Sequence, residues 1–151
     1  NDPAADYPAA VVGLNATIKT DKRTIAAEDF FAGLFSTSLE PGEIIVSVSF
    51  PVPAKAADQK FDNPASRYAM AGVFVAKLKD GAVRVGVTGA HGDGVFRATD
   101  IERALTASFT PEAVDAVTVS ADGMLADIPG SAAYRANLVK VMAKRAAQYA
   151  H

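Results

Sequence analysis

Few residues of this chain have the means to do chemistry, and most of them sit close together. Gly86-Val87-Thr88-Gly89-Ala90-His91-Gly92-Asp93-Gly94 is glycine-dense and contains one of the two histidines. A phosphate loop needs glycines at a strand-to-helix turn, so that amide N–H groups converge on the anion. No Gly-Lys-Ser/Thr closes this stretch and the dinucleotide spacing Gly-x-Gly-x-x-Gly is absent, so a strand leaving its sheet through a tight turn accounts for the glycines better. His91 and Asp93 have the types of an acid–base pair, as in a small hydrolase, or of two metal ligands. Neighbouring sequence offers no third group to orient them, and a solvent-exposed loop histidine is the competing reading. His151 is the final residue. Asp2, Asp6, Asp58 and Asp62 fall in loops or at helix starts, where aspartate commonly caps. Ser66-Arg67-Tyr68 either grips a phosphate through the forked guanidinium or is a surface loop entering a strand. Tyr134 and Arg135 read as helix packing and a surface charge.

Composition narrows these options. The chain has 151 residues, half of them hydrophobic and 21% charged, enough to bury a real core. A formal charge of −2 provides no basic field for nucleic acid or an anionic membrane. Without cysteine there is no disulfide, zinc-thiolate site or iron–sulfur ligation by this chain. No apolar run approaches the ~20 residues that span a bilayer, and no signal peptide is visible. The expectation is a cytoplasmic, non-transmembrane protein.

The elements that would position these residues divide in two. Residues 5–14 read as a short helix with Pro8 in its first turn. Ala16–Thr20 alternates as a strand, and Arg23-Thr24-Ile25 is its hairpin partner. Ala27–Leu34 has helical spacing, which puts Phe30, Phe31, Leu34 and Phe35 on one side. Pro41-Gly42 marks a turn and the expected domain boundary. Beyond it, Glu43–Phe50 is a strand and Pro51–Asp58 a proline-punctuated loop. Ala69–Lys79 and Ala82–Gly89 form a hairpin turned by Lys79-Asp80-Gly81. A helix follows from Asp100 to Leu105 capped by Thr99, and another from Pro111 to about Ser120. The last helix begins after Ser131. Strands first and helices later indicate α+β, an antiparallel sheet covered on one face by about three helices.

Several phrases, in order, resemble the flavoprotein (medium) subunit of aerobic carbon monoxide dehydrogenase and its relatives among the molybdenum hydroxylases, including xanthine dehydrogenase. They are Asp2-Pro3-Ala4-Ala5-Asp6-Tyr7-Pro8-Ala9-Ala10, Asp29-Phe30-Phe31-x-Gly33-Leu34-Phe35, Leu39-x-Pro41-Gly42-Glu43-Ile44-Ile45 and Asn63-Pro64-Ala65-Ser66-Arg67-Tyr68-Ala69. Val87-Thr88-Gly89-Ala90, Val95-Phe96-Arg97 and Gly130-Ser131-Ala132-Ala133-Tyr134-Arg135-x-x-Leu138 continue the set. The resemblance implies that residues 1–40 are the tail of an FAD-binding domain and residues 42–151 the C-terminal domain of that subunit. It implies FAD as cofactor, with a molybdenum cofactor on a large partner subunit and [2Fe-2S] clusters on a small iron–sulfur partner. The subunit would relay electrons from the clusters through FAD to an external acceptor; a stand-alone assembly domain without redox role is the alternative. Among site residues it implies Asp6, on the acidic residue after the family's second glycine-rich flavin loop, and Ile45, on an apolar residue that packs against the flavin. Lys60 stands two residues before Asp62, where the family often puts a basic residue. The family's two glycine-rich pyrophosphate loops have no match here. A cut surface bearing the four aromatic and leucine side chains near Phe30 would favour a homodimer.

Overall fold

The computed structural model describes residues 1–151. Helix α1 (Asp6–Gly13) has Pro8 in its first turn, where no intrahelical N–H is lost. It ends where Asn15 takes a left-handed φ of 53°, a conformation asparagine tolerates better than most residues. The chain then forms strands β1 (Thr17–Thr20) and β2 (Thr24–Ala26), a single turn of helix α2 (Ala27–Phe30), and the short strands β3 (Phe31–Gly33) and β4 (Ser36–Thr37). Strand β5 (Ile45–Ser49) returns to pair with β1, giving a three-stranded antiparallel sheet of order β2-β1-β5. The strand expected to open the second part of the chain therefore hydrogen-bonds within the first.

The second sheet is four-stranded and antiparallel, of order β6-β7-β8-β9: Lys55–Asp62, Ala69–Lys77, Val83–Thr88 and Phe96–Arg97. Helix α3 (Thr99–Ala107), a 3₁₀ turn (Pro111–Val114) and α4 (Ala132–Tyr149) follow. Side chains alternate across this sheet. Ala71, Val73 and Val75 with Val83, Val85 and Val87 face α3 and α4 and form one core with Ile101, Leu105, Val139 and Met142. The antiparallel sheet covered by helices is thus as expected, but its other face is covered too. Gly72, Phe74, Gly86 and Thr88 alternate to the side where α1 lies, and all of β7 is shielded except for Phe74 and Lys77, which are half-buried.

That second layer is held by close backbone approach and buried polar contacts. A Cβ on Gly86 would stand 2.3 Å from the carbonyl oxygen of Ala9, so only glycine lets α1 lie this near. The buried Arg84 guanidinium donates from Nε and Nη2 to the Val12 carbonyl at 3.1 and 3.0 Å, satisfying an orphan group at the end of α1. It also reaches Glu28 at 2.8 Å. Glu28 accepts from Arg97 too, and Arg97 forms a two-point pair with buried Glu102. Thr88 Oγ1 lies 2.9 and 3.0 Å from the carbonyls of Pro3 and Ala5. In the first unit the fully buried Glu43 carboxylate accepts from Thr20 Oγ1, Arg23 and the Glu40 amide. Arg23 first, then the Glu40 N–H, hold its pKa down at about 2.

Several local expectations fail for tertiary reasons. Ala27–Leu34 is not a helix; it breaks after Phe30, which is buried against Ile18, Ile25 and Ala27. Phe31 is half-buried in β3, while Leu34 and Phe35 are exposed, Phe35 at φ 59°. The shared face on which the expected homodimer rests does not form. Half of Pro51–Asp58 is not loop, because β6 starts at Lys55. The helix after Pro111 is a single 3₁₀ turn; Val117 and Val119 then pack alternately on the core instead. Ala98, not Thr99, is the residue before α3. Ser131 does cap α4, its side chain accepting from the Tyr134 N–H. Arg135 is not a surface charge: it is 4% exposed and donates to Met70 O, Gly89 O and both oxygens of Asp127. No helix is long and apolar enough to cross a membrane.

Gly86→Ala tests the contact beneath α1. Overpacking of this kind costs about 1–3 kcal/mol, and the nearest atoms are backbone, which yields little. Urea unfolding of the variant should show a loss in that range, with faster protease cleavage in residues 1–16. Unchanged stability would mean that α1 does not rest on β8.

Candidate functional site

Two of the three residues singled out by resemblance come together. Asp6 is the first residue of α1, where its charge also meets the positive end of the helix. Lys60 lies on the α1-facing side of β6, opposite Gly72 in β7. Its Nζ lies 3.2 and 3.0 Å from the two carboxylate oxygens of Asp6. The pair spans 54 positions in sequence and bridges the first unit to the second sheet. Asp6, beside Lys60, belongs to a cleft lined by Tyr7, Ala10, Asp58 and Phe74. Tyr7 is 80% exposed at its mouth, and Ala10 and Phe74 give it an apolar wall. Ile45 is not in this lining. It sits on β5 at the edge of the other sheet, 41% exposed.

Asp58 is the residue of this cleft that sequence reading passes over as a loop aspartate. It shares the face of β6 with Lys60 and stands opposite Phe74. Loss of surrounding water pushes its carboxyl up to about 6; the negative charge of Asp6 adds to the rise and Lys60 opposes it. Asp6 raises the pKa of Lys60 in turn, chiefly through their hydrogen bond. The cleft thus offers carboxylate acceptors, one ammonium already engaged, and an apolar wall. It suits a ligand that presents hydroxyls or a polar ring edge, and it lacks the converging donors that a pyrophosphate needs.

The other candidates resolve into structure. His91 Nδ1 accepts from the Asp93 amide at 3.1 Å. The Asp93 carboxylate stays 3.8 Å away and 92% exposed. His91 Nε2 faces the backbone of Gly123, where a Cβ would come within 2.1 Å. His91 lines a pocket with Thr99, Thr118 and Ser120, but its ring hydrogen-bonds only to the Asp93 amide, and no group of three or more potential ligands could hold a metal. The glycine-rich loop has spent its amides: Gly89 donates to Pro3, Gly92 to Gly123 and Gly94 to His91. Asn63 Oδ1 folds Ala65 and Ser66 into a tight turn, leaving Arg67 at φ 62° on the surface.

Asp58 gives the site a pH signature. A carboxyl whose folded pKa lies above its ordinary value of 3.8 stabilises the fold when protonated. That contribution is complete below about 3.8 and is lost as pH rises through about 6. Asp58→Asn should therefore raise the melting temperature at pH 7–8 and flatten the dependence of stability on pH between 4 and 6. Equal pH profiles for variant and parent would remove Asp58 from the cleft's electrostatics.

Residues 1–53, which contain α1 and the whole three-stranded sheet, match the family model described as the FAD binding domain in molybdopterin dehydrogenase. The glyceraldehyde dehydrogenase medium chain of Sulfolobus acidocaldarius is 31% identical, over 96% of this chain and 56% of its own length. The nicotine 6-hydroxylase medium subunit of Paenarthrobacter nicotinovorans is 33% identical, over 95% of this chain and 55% of its own. The reconstituted carbon monoxide dehydrogenase from Oligotropha carboxidovorans superposes with a TM-score of 0.84 at 26% identity, covering 97% of this chain and 56% of that one. The chain spans a little over half the length of the curated relatives it matches. By sequence and by fold, it is a member of the family of flavoprotein medium subunits found in carbon monoxide dehydrogenase and related molybdenum hydroxylases.

Proposed function

We propose that this chain is part of the FAD-binding subunit of a molybdenum hydroxylase complex of the carbon monoxide dehydrogenase type, working in the cytoplasm. In that complex the subunit relays electrons from [2Fe-2S] clusters on a small subunit, through FAD, to an external acceptor. The molybdenum cofactor belongs to a large subunit. The observation that carries this reading is the match of nearly the whole chain to medium subunits, with the FAD-domain match falling on the unit that contains Asp6. FAD supplies the electron-carrying chemistry; this chain's residues bind and orient it. The relatives are named for glyceraldehyde, nicotine and carbon monoxide, which supports a substrate chosen elsewhere than on this chain.

The residues present fit one part of the cofactor. Asp6, held in place by Lys60, accepts hydrogen bonds from hydroxyls or from the polar edge of the ring system. Ala10 and Phe74 supply the apolar surface beside it, and Ile45 contributes a second exposed apolar surface on β5. The pyrophosphate finds no such fit, because the glycine-rich loop's amides are engaged within the chain. We place the boundary between the two units in the Phe50–Ala54 connection, after β5 rather than at Pro41-Gly42. The pairing of β5 with β1 supports this.

The 151-residue chain alone should be colourless and without catalytic activity, and the full-length polypeptide yellow. In the full-length form Asp6→Ala should weaken FAD binding about tenfold or more, the worth of a charge-assisted hydrogen bond. Absorbance after gel filtration and fluorescence titration read both outcomes. Flavin retained by the short chain near equal stoichiometry would overturn the argument about the pyrophosphate. A full-length protein without flavin would favour the assembly-domain alternative.

A further inference from the structure

The cleft beside Asp6 has two aromatic side chains in its lining, Tyr7 and Phe74, and they are held very differently. Pro8, Ala9, Val12 and Gly13 take the buried side of α1. At about 3.6 residues per turn, Asp6 and Ala10 then stand on the flank of the helix and Tyr7 one step further from the sheet. Phe74, on β7, forms the floor. A Cβ on Gly13 would come 2.7 Å from its Cδ1, so the ring is seated under the helix. Tyr7 has no such seat. It is 80% exposed, the most exposed of the four tyrosines, and its ring pairs with no other aromatic. The cleft has a volume of about 180 Å³, below the roughly 300–1,000 Å³ of a pocket that encloses its ligand. It takes one end of a flat ring system and leaves the outer face of that ring open on the side of Tyr7.

Resting on the reading that Asp6 faces the bound cofactor, we propose that Tyr7 is a stacking residue of this cleft: its phenol ring covers the outer face of a planar, uncharged heterocycle that lies on Phe74 and donates an N–H from its edge to Asp6. The charges select that class of ligand. Carboxylates accept hydrogen bonds and do not donate them, so the two in the lining, Asp6 and Asp58, favour a ring edge that bears N–H groups and repel an anion. The walls select flatness. Ala10 falls between Asp6 and Tyr7 around the helix and presents only a methyl, which lets a ring lie against α1. Tyrosine makes a stacking contact at low cost in conformational freedom, having two side-chain torsions to fix. FAD carries two rings of this class, the isoalloxazine and the adenine, and the same contact suits either.

The test titrates FAD into the full-length apo polypeptide and reads two quantities: the dissociation constant, and the fluorescence of the bound flavin, which a tyrosine stacked on the isoalloxazine quenches. The parent is compared with Tyr7→Leu, Tyr7→Phe and Asp6→Ala. Thermal melts confirm that each variant is folded. Tyr7→Leu should weaken FAD binding about two- to tenfold, the worth of an aromatic pair, and Tyr7→Phe should keep the parent's affinity. If the stacked ring is the isoalloxazine, both Tyr7 variants also brighten the bound flavin. If it is the adenine, affinity falls in Tyr7→Leu with the brightness unchanged. Equal affinity of Tyr7→Leu and parent overturns the inference. So does a Tyr7→Phe variant as weak as Tyr7→Leu, because the hydroxyl rather than the ring would then make the contact. If Asp6→Ala leaves affinity unchanged, the placement of the cofactor beside Asp6 is what has failed. If Asp6→Ala weakens binding while both Tyr7 variants follow the parent, that placement stands and the stacking alone is wrong.

Discussion

The packing of residues 1–53 on the second sheet rests first on a helix backbone lying directly on that sheet. At residue 86 no side chain is tolerated, because the Ala9 carbonyl occupies the space where a Cβ would be. That approach has an electrostatic consequence. It brings the carbonyl end of α1 over Arg84, which is 9% exposed and would be costly to bury without partners. The Val12 carbonyl and Glu28 supply them. Glu28 is itself held below the usual carboxylate range, mainly by its hydrogen bond from Arg84. Arg97 and buried Glu102 extend the network to the Val85 amide and α3. Removing one member strands the others in a poorly hydrated layer, so the network fixes position more than it adds net stability.

The same approach makes the cleft. Asp58 and Lys60 already share one face of β6, and Asp6, on α1, meets them only when the helix is seated. Between two carboxylates, Lys60 pairs with the one at the helix start. Asp58 is the carboxylate without that partner, and its pKa is raised first by lost hydration and then by the charge of Asp6. Exposed ion pairs contribute little to stability, and the Asp6–Lys60 pair is half open to solvent. Its value lies in orientation: it holds one carboxylate still and leaves the other responsive to pH.

Local chemistry was legible in the sequence and long-range packing was not. Asp80-Gly81 turns the β7–β8 hairpin as its residue types demand, with Gly81 at φ 92° and Asp80 accepting from the Ala82 amide. Ser131 caps α4 for a reason confined to four residues. Strand β6 was hidden because its inward face, Ala57, Gln59 and Phe61, is only half-buried and mixed in type, so the exposed Asp58, Lys60 and Asp62 alternate with little apolar contrast. The periodicity of Ala27–Leu34 was helical by count, but Phe30 is drawn into the cluster around Ile18 and the backbone turns there. Arg135 looks like any helix-surface arginine; only the position of Met70 and Gly89 makes it a buried clamp. In the site, Asp6 and Lys60 were reached through resemblance, while their contact, and Asp58 beside it, required the seated helix.

Charge separates what this cleft can bind from what it cannot. A pyrophosphate brings two negative charges and asks for several convergent N–H donors. The cleft has two carboxylates to one ammonium, and the nearest glycine-rich turn has used its amides to fasten residues 3 and 123. The polar, uncharged portion of a dinucleotide meets none of these objections. It can donate to Asp6, lie against Phe74 and Ala10, and leave its anionic portion elsewhere. On the proposed reading, the two demands of a flavin dinucleotide, anion capture and ring orientation, are assigned to different segments of the subunit. The segment described here takes the second, and its acidity is then an advantage. A carboxylate cleft repels free anions that would otherwise compete for a site next to a redox cofactor.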